Sequence, residues 1–248
     1  MIFDFHCHFS RSFFRYREYR MELDGLVAEM DRHGVTRAVL SSAGEYAAYS
    51  VREGNDEIAA AVRCHPARLT GFATVNPWMR ATALAEVRRA REDLGLAGLV
   101  LHPMLHGHDA NDPLVFPVVE QAIRLGMPVY ITGGAPLLAV PYKIADVAGR
   151  YPEARFIMGH AGWDFHFDVM YCLEACPNLW VETSKNEIAN LDSIVRTRGA
   201  QRVLFGSDHP FSSYESEIAK VRLLPDAAQD DIERILGLNA LELLGVQA

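Results

Sequence analysis

Eight short, almost continuously apolar runs recur along this chain, and their spacing limits the folds open to it. They are Ile2–His6, Arg37–Ser41, Thr70–Val75, Gly98–Leu101, Pro128–Thr132, Arg155–Gly159, Leu179–Glu182 and Val203–Gly206. From one run to the next is about 29 residues on average, the size of one strand-plus-helix unit. Runs that are apolar on both faces suit a parallel sheet covered on both sides. Amphipathic stretches fill the intervals and end on helix-stop residues. Leu23–Met30 leads to Gly34, Ala81–Leu94 ends at Gly95, Pro113 and Gly126 bracket Leu114–Leu125, and Lys143–Arg150 stops before Pro152. Asn55–Val62, Phe167–Ala175 and Leu191–Arg198 follow the same pattern, and Glu215–Leu223 and Asp230–Leu244 finish the chain.

No linker, low-complexity segment or charge block interrupts the 248 residues. The expectation is therefore a single α/β domain over residues 1–248, a (β/α)8 TIM barrel. The rival, an open doubly wound sheet, calls for a glycine-rich phosphate loop after the first strand. This chain has His6-Cys7-His8-Phe9-Ser10 there.

A barrel of this kind carries its active site at the C-terminal ends of its strands. Residues i and i+2 of a strand share a face, so His6 and His8 aim two imidazoles at one place while Cys7 points away. The fourth run ends in His102-Pro103, the sixth in His160-Ala161-Gly162-Trp163, and the eighth in Gly206-Ser207-Asp208-His209-Pro210. Imidazoles and a carboxylate converging on one face suit a divalent metal ion. Zinc is the first expectation and manganese the second.

Net charge decides against some partners. At −8 the chain does not fit a nucleic acid or an anionic membrane surface. No apolar run is long enough to span a bilayer, and no basic segment precedes an apolar one at the start. The four cysteines form no C-x-x-C pair, which suits a reducing, cytoplasmic setting. The expected partner is a small-molecule substrate, with a homodimer left open.

Asp4-x-His6-x-His8, Gly159-His160-Ala161-Gly162 and Phe205-Gly206-Ser207-Asp208-His209-Pro210 resemble the amidohydrolase superfamily. Within it they resemble the branch that includes aminocarboxymuconate-semialdehyde decarboxylase. Leu101-His102-Pro103, Arg202–Phe205 and Asn239–Leu244 extend the resemblance over nearly the whole chain. The resemblance implies a metal-dependent barrel enzyme in which His6, His8 and Asp208 are ligands and His160 is a ligand or a catalytic residue. The chain departs from the pattern at the fifth strand, where Thr132 stands in place of a ligand histidine. His160 or His102 is expected to complete the sphere. Val100 stands where binuclear relatives carry a bridging lysine, so one ion is expected rather than two.

Such a site suits hydrolysis of an amide, lactone or ester of a small anionic substrate through a metal-activated water, with Asp208 and His160 catalytic. It equally suits non-oxidative decarboxylation of an aromatic or enoic acid. A non-catalytic member is the third reading, motivated by Thr132. Expected substrate contacts are His102, Arg11 and Arg15 of the arginine- and aromatic-rich loop after strand one, and Trp78 and Trp163.

Overall fold

The computed structural model describes residues 1–11, 22–134 and 137–247. Eight parallel strands follow one another in chain order: β1 (Ile2–His8), β2 (Val35–Ser41), β3 (Leu69–Thr74), β4 (Gly98–Leu101), β5 (Val129–Ile131), β6 (Phe156–Met158), β7 (Leu179–Glu182) and β8 (Val203–Leu204). One main helix follows each strand: α1 (Leu23–His33), α2 (Val51–Cys64), α3 (Ala81–Glu92), α4 (Phe116–Arg124), α5 (Pro141–Arg150), α6 (His166–Ala175), α7 (Ile188–Arg198) and α8 (Tyr214–Arg222). The ring closes beyond the two-residue ladder of β8. The Phe5 amide donates to Phe205 O at 2.7 Å, the Asp208 amide to His6 O at 2.8 Å, and the His8 amide to His209 O at 2.7 Å. This is the (β/α)8 barrel expected from the spacing of the apolar runs.

Two apolar layers hold it together. Val39, Phe72, Val100, Tyr130, Ile157 and Leu204, one from each of six strands, pack with Phe3 and Phe5 inside the barrel. Their strand neighbours, such as Leu99, Leu101, Val129 and Ile131, face the helices in the larger outer core. The terminal segment, expected as one helix over Asp230–Leu244, is divided into Gln229–Glu233, a wider π turn over Arg234–Leu238 and a last helix, Asn239–Leu244. Gly237 lies against the first strand, where an added Cβ would come 3.1 Å from Met1 O. Ala240, Leu241 and Leu243 of the last helix join the interior layer. Asn239 anchors that helix by donating to Ala200 O and Val203 O at 2.6 and 2.7 Å.

The first strand departs from simple alternation, and the site depends on it. Asp4 pairs with Ala38 and Cys7 with Leu40, so three steps on β1 oppose two on β2. This extra residue switches the inward phase from odd to even positions. Phe3 and Phe5 face the interior below the irregularity, Cys7 joins the outer core above it, and His6 and His8 turn into the mouth.

Candidate active site

Two residues beyond the inward-facing member of a strand lies the next inward position, at the rim. Val100 leads to His102, Tyr130 to Thr132 and Trp180 to Glu182 in this way. His160 and Asp208 arrive differently, through turns in which they adopt φ of 56° and 54°. Seven described residues other than glycine have positive φ, and five of them, His160, Ala161, Trp163, Lys185 and Asp208, follow β6, β7 and β8. Backbone strain is thus concentrated where a site would need it.

His6, His160 and Asp208 each offer a ligand atom, and the three atoms lie within 4.8 Å of one another. Asp208 Oδ1 is 3.3 Å from His6 Nε2 and 3.2 Å from His8 Nε2. The His6 nitrogen is buried and, despite that proximity, has no well-aligned hydrogen bond among the described residues. A buried ring nitrogen aimed at a carboxylate without bonding to it fits joint ligation of an ion between them. Two or three imidazoles and one carboxylate suit zinc or manganese alike. The donor set therefore fits one divalent ion.

Charge is arranged to match. Burial alone would raise the Asp208 carboxyl, but the imidazoles of His6 and His8 outweigh it and hold the group well below the ordinary carboxylate range. Burial opposes protonation of His6, yet Asp208, Glu182 and Asp4 together raise its pKa. His160 is pushed down by burial.

The tautomer of His160 follows from hydrogen-bond bookkeeping. Buried Glu182 accepts from Tyr130 Oη at 2.8 Å, from the His160 amide at 3.1 Å, and from both the amide and the hydroxyl of Ser184. The Ser184 hydroxyl has one proton, and it donates that proton to Glu182 at 3.0 Å. Its contact with His160 Nδ1 at 2.9 Å must then be received from an Nδ1–H. Nε2 is left with its lone pair, the state a ligand needs. Gly206 leaves space for Glu182, since a Cβ there would collide with Glu182 Oε1.

Asp4 ties the two ends of the barrel together. Its carboxylate accepts from the Ser207 amide at 2.9 Å, the Ser207 hydroxyl at 2.6 Å and the His6 amide at 3.1 Å. Burial outweighs those bonds and brings its pKa to about 7.

The other expected contacts divide. Thr132 Oγ1 bonds His102 Nδ1 at 2.9 Å, and the His102 ring centroid is 6.3 Å from that of His8. His102 lies at the rim but outside the three-residue group. Trp163 stands edge-on to His160 with ring centroids 5.9 Å apart. Trp78 is half exposed and donates through Nε1 to His106 O at 2.8 Å. Arg11 is turned to α2, where it pairs with Glu57 at 2.9 Å. Arg15 lies outside the described residues.

Glu182, Tyr130, Ser184 and Lys185 were not singled out by sequence. A polar Glu-Thr-Ser-Lys run closing an apolar strand was the available signal. The described helices include none long and apolar enough to cross a membrane.

Comparison with known proteins adds a family. The amidohydrolase family profile matches residues 3–246. The 2-amino-3-carboxymuconate-6-semialdehyde decarboxylase of Dictyostelium discoideum is 24% identical over 234 residues, 77% of this chain and 65% of that protein. The chain thus spans just under two thirds of that relative. The fold of 5-carboxyvanillate decarboxylase from Sphingomonas paucimobilis superposes with a TM-score of 0.81 at 19% identity, over 99% of each chain. A dihydroxybenzoic acid decarboxylase from a Polaromonas species, solved with manganese and the inhibitor 2-nitroresorcinol, gives 0.80 at 18% identity over 98% of this chain and 96% of its own.

Proposed function

Because the chain belongs to the amidohydrolase family, we propose that it is a metal-dependent non-oxidative decarboxylase of a small aromatic or enoic acid. The observation that carries this reading is the cluster of His6, His160 and Asp208 within 4.8 Å at the barrel mouth. The relative and both structural neighbours are decarboxylases, which gives the cluster its direction. Hydrolysis, the first expectation from sequence, finds no support among them and yields to its alternative. The non-catalytic reading rested on Thr132, yet His6, His160 and Asp208 assemble without that position.

His6, His160 and Asp208 would hold the ion, with His8 as a further donor beside Asp208. When bound, a divalent ion supplies Lewis-acid polarisation of a substrate oxygen near the breaking bond. In the reaction the carbon–carbon bond to the carboxylate breaks, carbon dioxide leaves, and the bonding pair stays on the carbon left behind. That carbon then needs a proton. It comes from solvent, relayed by Asp208 at Oδ2, the oxygen turned away from His6 and His8, so that Asp208 ends the step ionised as it began it. The Glu182–Ser184 pair keeps His160 in one orientation throughout.

Zinc gives way to no single choice here. Manganese in the Polaromonas neighbour makes it the first ion to test. The experiment is incubation of manganese-loaded protein with hydroxybenzoic, carboxyvanillic and aminomuconic-type acids, following carbon dioxide and product. Carbon dioxide release from one of these acids is expected. Turnover of lactones or amides with no carbon dioxide from any acid would overturn the reading.

A further inference from the structure

The rim needs a cation if its substrate is an acid, and the arginine expected to supply it is engaged elsewhere. Arg11 is bound to Glu57 on an outer helix. Among the described residues, Lys185 is the only lysine or arginine in ion-pair reach of Asp208, with Nζ 3.4 Å from Oδ2. Its ammonium also donates to Phe211 O at 2.7 Å. An ammonium has three protons to give, and the described residues take two of them. The side chain is 28% exposed, so the ammonium is reachable from solvent.

Lys185 stands on a rigid platform. Its own φ is 60°, an uncommon conformation for a residue with a side chain. Ser184 before it is bonded to His160 and Glu182. Asn186 after it donates to His160 O, Ala161 O and Trp163 O at 2.9–3.1 Å, stapling the β7 loop to the β6 loop. The lysine is thereby aimed at the mouth by two fixed neighbours.

We propose that Lys185 is the anion-binding residue of the site and takes the carboxylate of a small organic acid. This rests on the decarboxylase reading above for the identity of the acid. A divalent ion on Asp208 would neutralise that carboxylate and repel the ammonium, leaving Lys185 in want of another anion. The carboxylate of an incoming acid is that anion. Such a grip holds the ground state more than the transition state, because the carboxylate loses its charge as carbon dioxide forms. Lys185 should therefore weigh more on KM than on kcat.

The test uses the full chain loaded with manganese and two probes of one shape, benzoate and benzamide, in calorimetric titration. Benzoate should bind wild-type protein more tightly than benzamide. Lys185→Met should weaken benzoate by roughly 10–100-fold, the worth of a charge-assisted hydrogen bond, and leave benzamide unchanged. Lys185→Arg should recover most of the affinity. With a turned-over acid, Lys185→Met should raise KM by a larger factor than it lowers kcat. Lys185→Met should bind manganese at least as tightly as wild type, because the ammonium no longer repels the ion, and its thermal melt should match wild type. No preference of wild-type protein for benzoate would overturn the assignment, as would equal benzoate affinity in Lys185→Met. Loss of manganese together with benzoate would make Lys185 a support for Asp208 and would also overturn it. Lys185-dependent benzoate binding without carbon dioxide release from any acid would leave the anion site standing and sink the decarboxylase reading alone.

Discussion

The two sides of the barrel mouth use histidine in opposite electrical states. On the β1–β8 side, His6 has its pKa raised against the cost of burial because Asp208, Glu182 and Asp4 surround it. On the β4 side, burial and neighbouring imidazoles push His102 well below its ordinary value, and burial takes His106 to about 4. Both sides are buried, so solvent exclusion alone does not distinguish them. The carboxylates do. Asp208, Glu182 and Asp4 overcome burial at His6, while at His160 burial still outweighs Asp208 and Glu182. Where carbonyls and a threonine face an imidazole, as Ala47 O faces His106 and Thr132 faces His102, the ring stays neutral. Ligand chemistry is thus gathered on one side of the rim, and the other is left to shape and hydrogen bonding.

The comparison breaks if the carboxylate is not what makes the first side reactive. Asp208→Asn keeps the size and one oxygen but removes the charge and the proton carrier. Carbon dioxide release should fall by about 10²–10⁴, the range for a positioned proton-transfer group. The fold should survive, as a circular-dichroism melt would show, and manganese should bind more weakly. Near-full turnover in metal-loaded Asp208→Asn would end the role given to this residue.

The neutral side makes its own prediction through pH. Unfolded histidine titrates near 6.5 and folded His106 near 4. Below 6.5 the unfolded state binds the proton that the folded state refuses, so stability is full above 6.5 and falls as pH drops toward 4. A displacement of that size corresponds to up to about 3 kcal/mol. Asp4 opposes it over the same range. Its folded pKa of about 7 lies above the ordinary 3.8, so its contribution is full below 3.8 and is lost as pH rises through 7. Denaturant titrations of His106→Gln between pH 4 and 7 should show a shallower acid loss than wild type. An unchanged slope would remove His106 as the cause.

Much of this contrast could not be read from the chain. The strands were legible because a parallel strand covered on both faces must be apolar throughout, and the rim residues His6, His8, His102, His160 and Asp208 followed from where those runs end. What sequence could not show was pairing at long range. Arg11 meets Glu57, 46 positions on, and so leaves the rim. Glu182 gathers Tyr130, His160 and Ser184 from three strand ends, and no local pattern announces that four donors meet one carboxylate. The switch of inward phase in β1 was equally hidden. Alternation in Ile2–His8 gives two incompatible faces, and only the pairing with β2 decides where the extra residue falls.

Ser184 sharpens the comparison on its charged side. Ser184→Ala removes the acceptor that holds the proton on His160 Nδ1. The long-range proton–nitrogen spectrum of histidine-labelled protein should then lose the pure Nδ1–H signature of His160, assigned by its absence in His160→Gln. Turnover should fall by roughly 10–100-fold, the usual cost of removing a partner that orients a ligand. Ser184→Thr should restore both. A His160 carrying its proton on Nε2 in the wild-type protein would overturn the bookkeeping.

The smallest effect belongs to the pair that marks the neutral side, Thr132 and His102. Thr132 occupies the rim position that the family's pattern gives to a ligand histidine, and its hydroxyl is spent on His102 Nδ1 at 2.9 Å. If that bond only orients a neutral ring, Thr132→Val should cost about 1 kcal/mol of stability, the net worth of one buried hydrogen bond. Carbon dioxide release should change by no more than a few-fold, because the hydroxyl reaches none of His6, His160 and Asp208. Manganese affinity, read by titration, should be unchanged for the same reason. If Thr132→Val instead lost the ion, the hydroxyl would belong to the ligand set and the neutral side would have to be redrawn as part of the metal centre. Thr132→His places an imidazole where the hydroxyl was, beside His102 and on the rim shared with the cluster. A rise in manganese affinity there would show that the β5 position still points at the ion and that this chain works with one ligand fewer. No rise would show that His102 has taken the space.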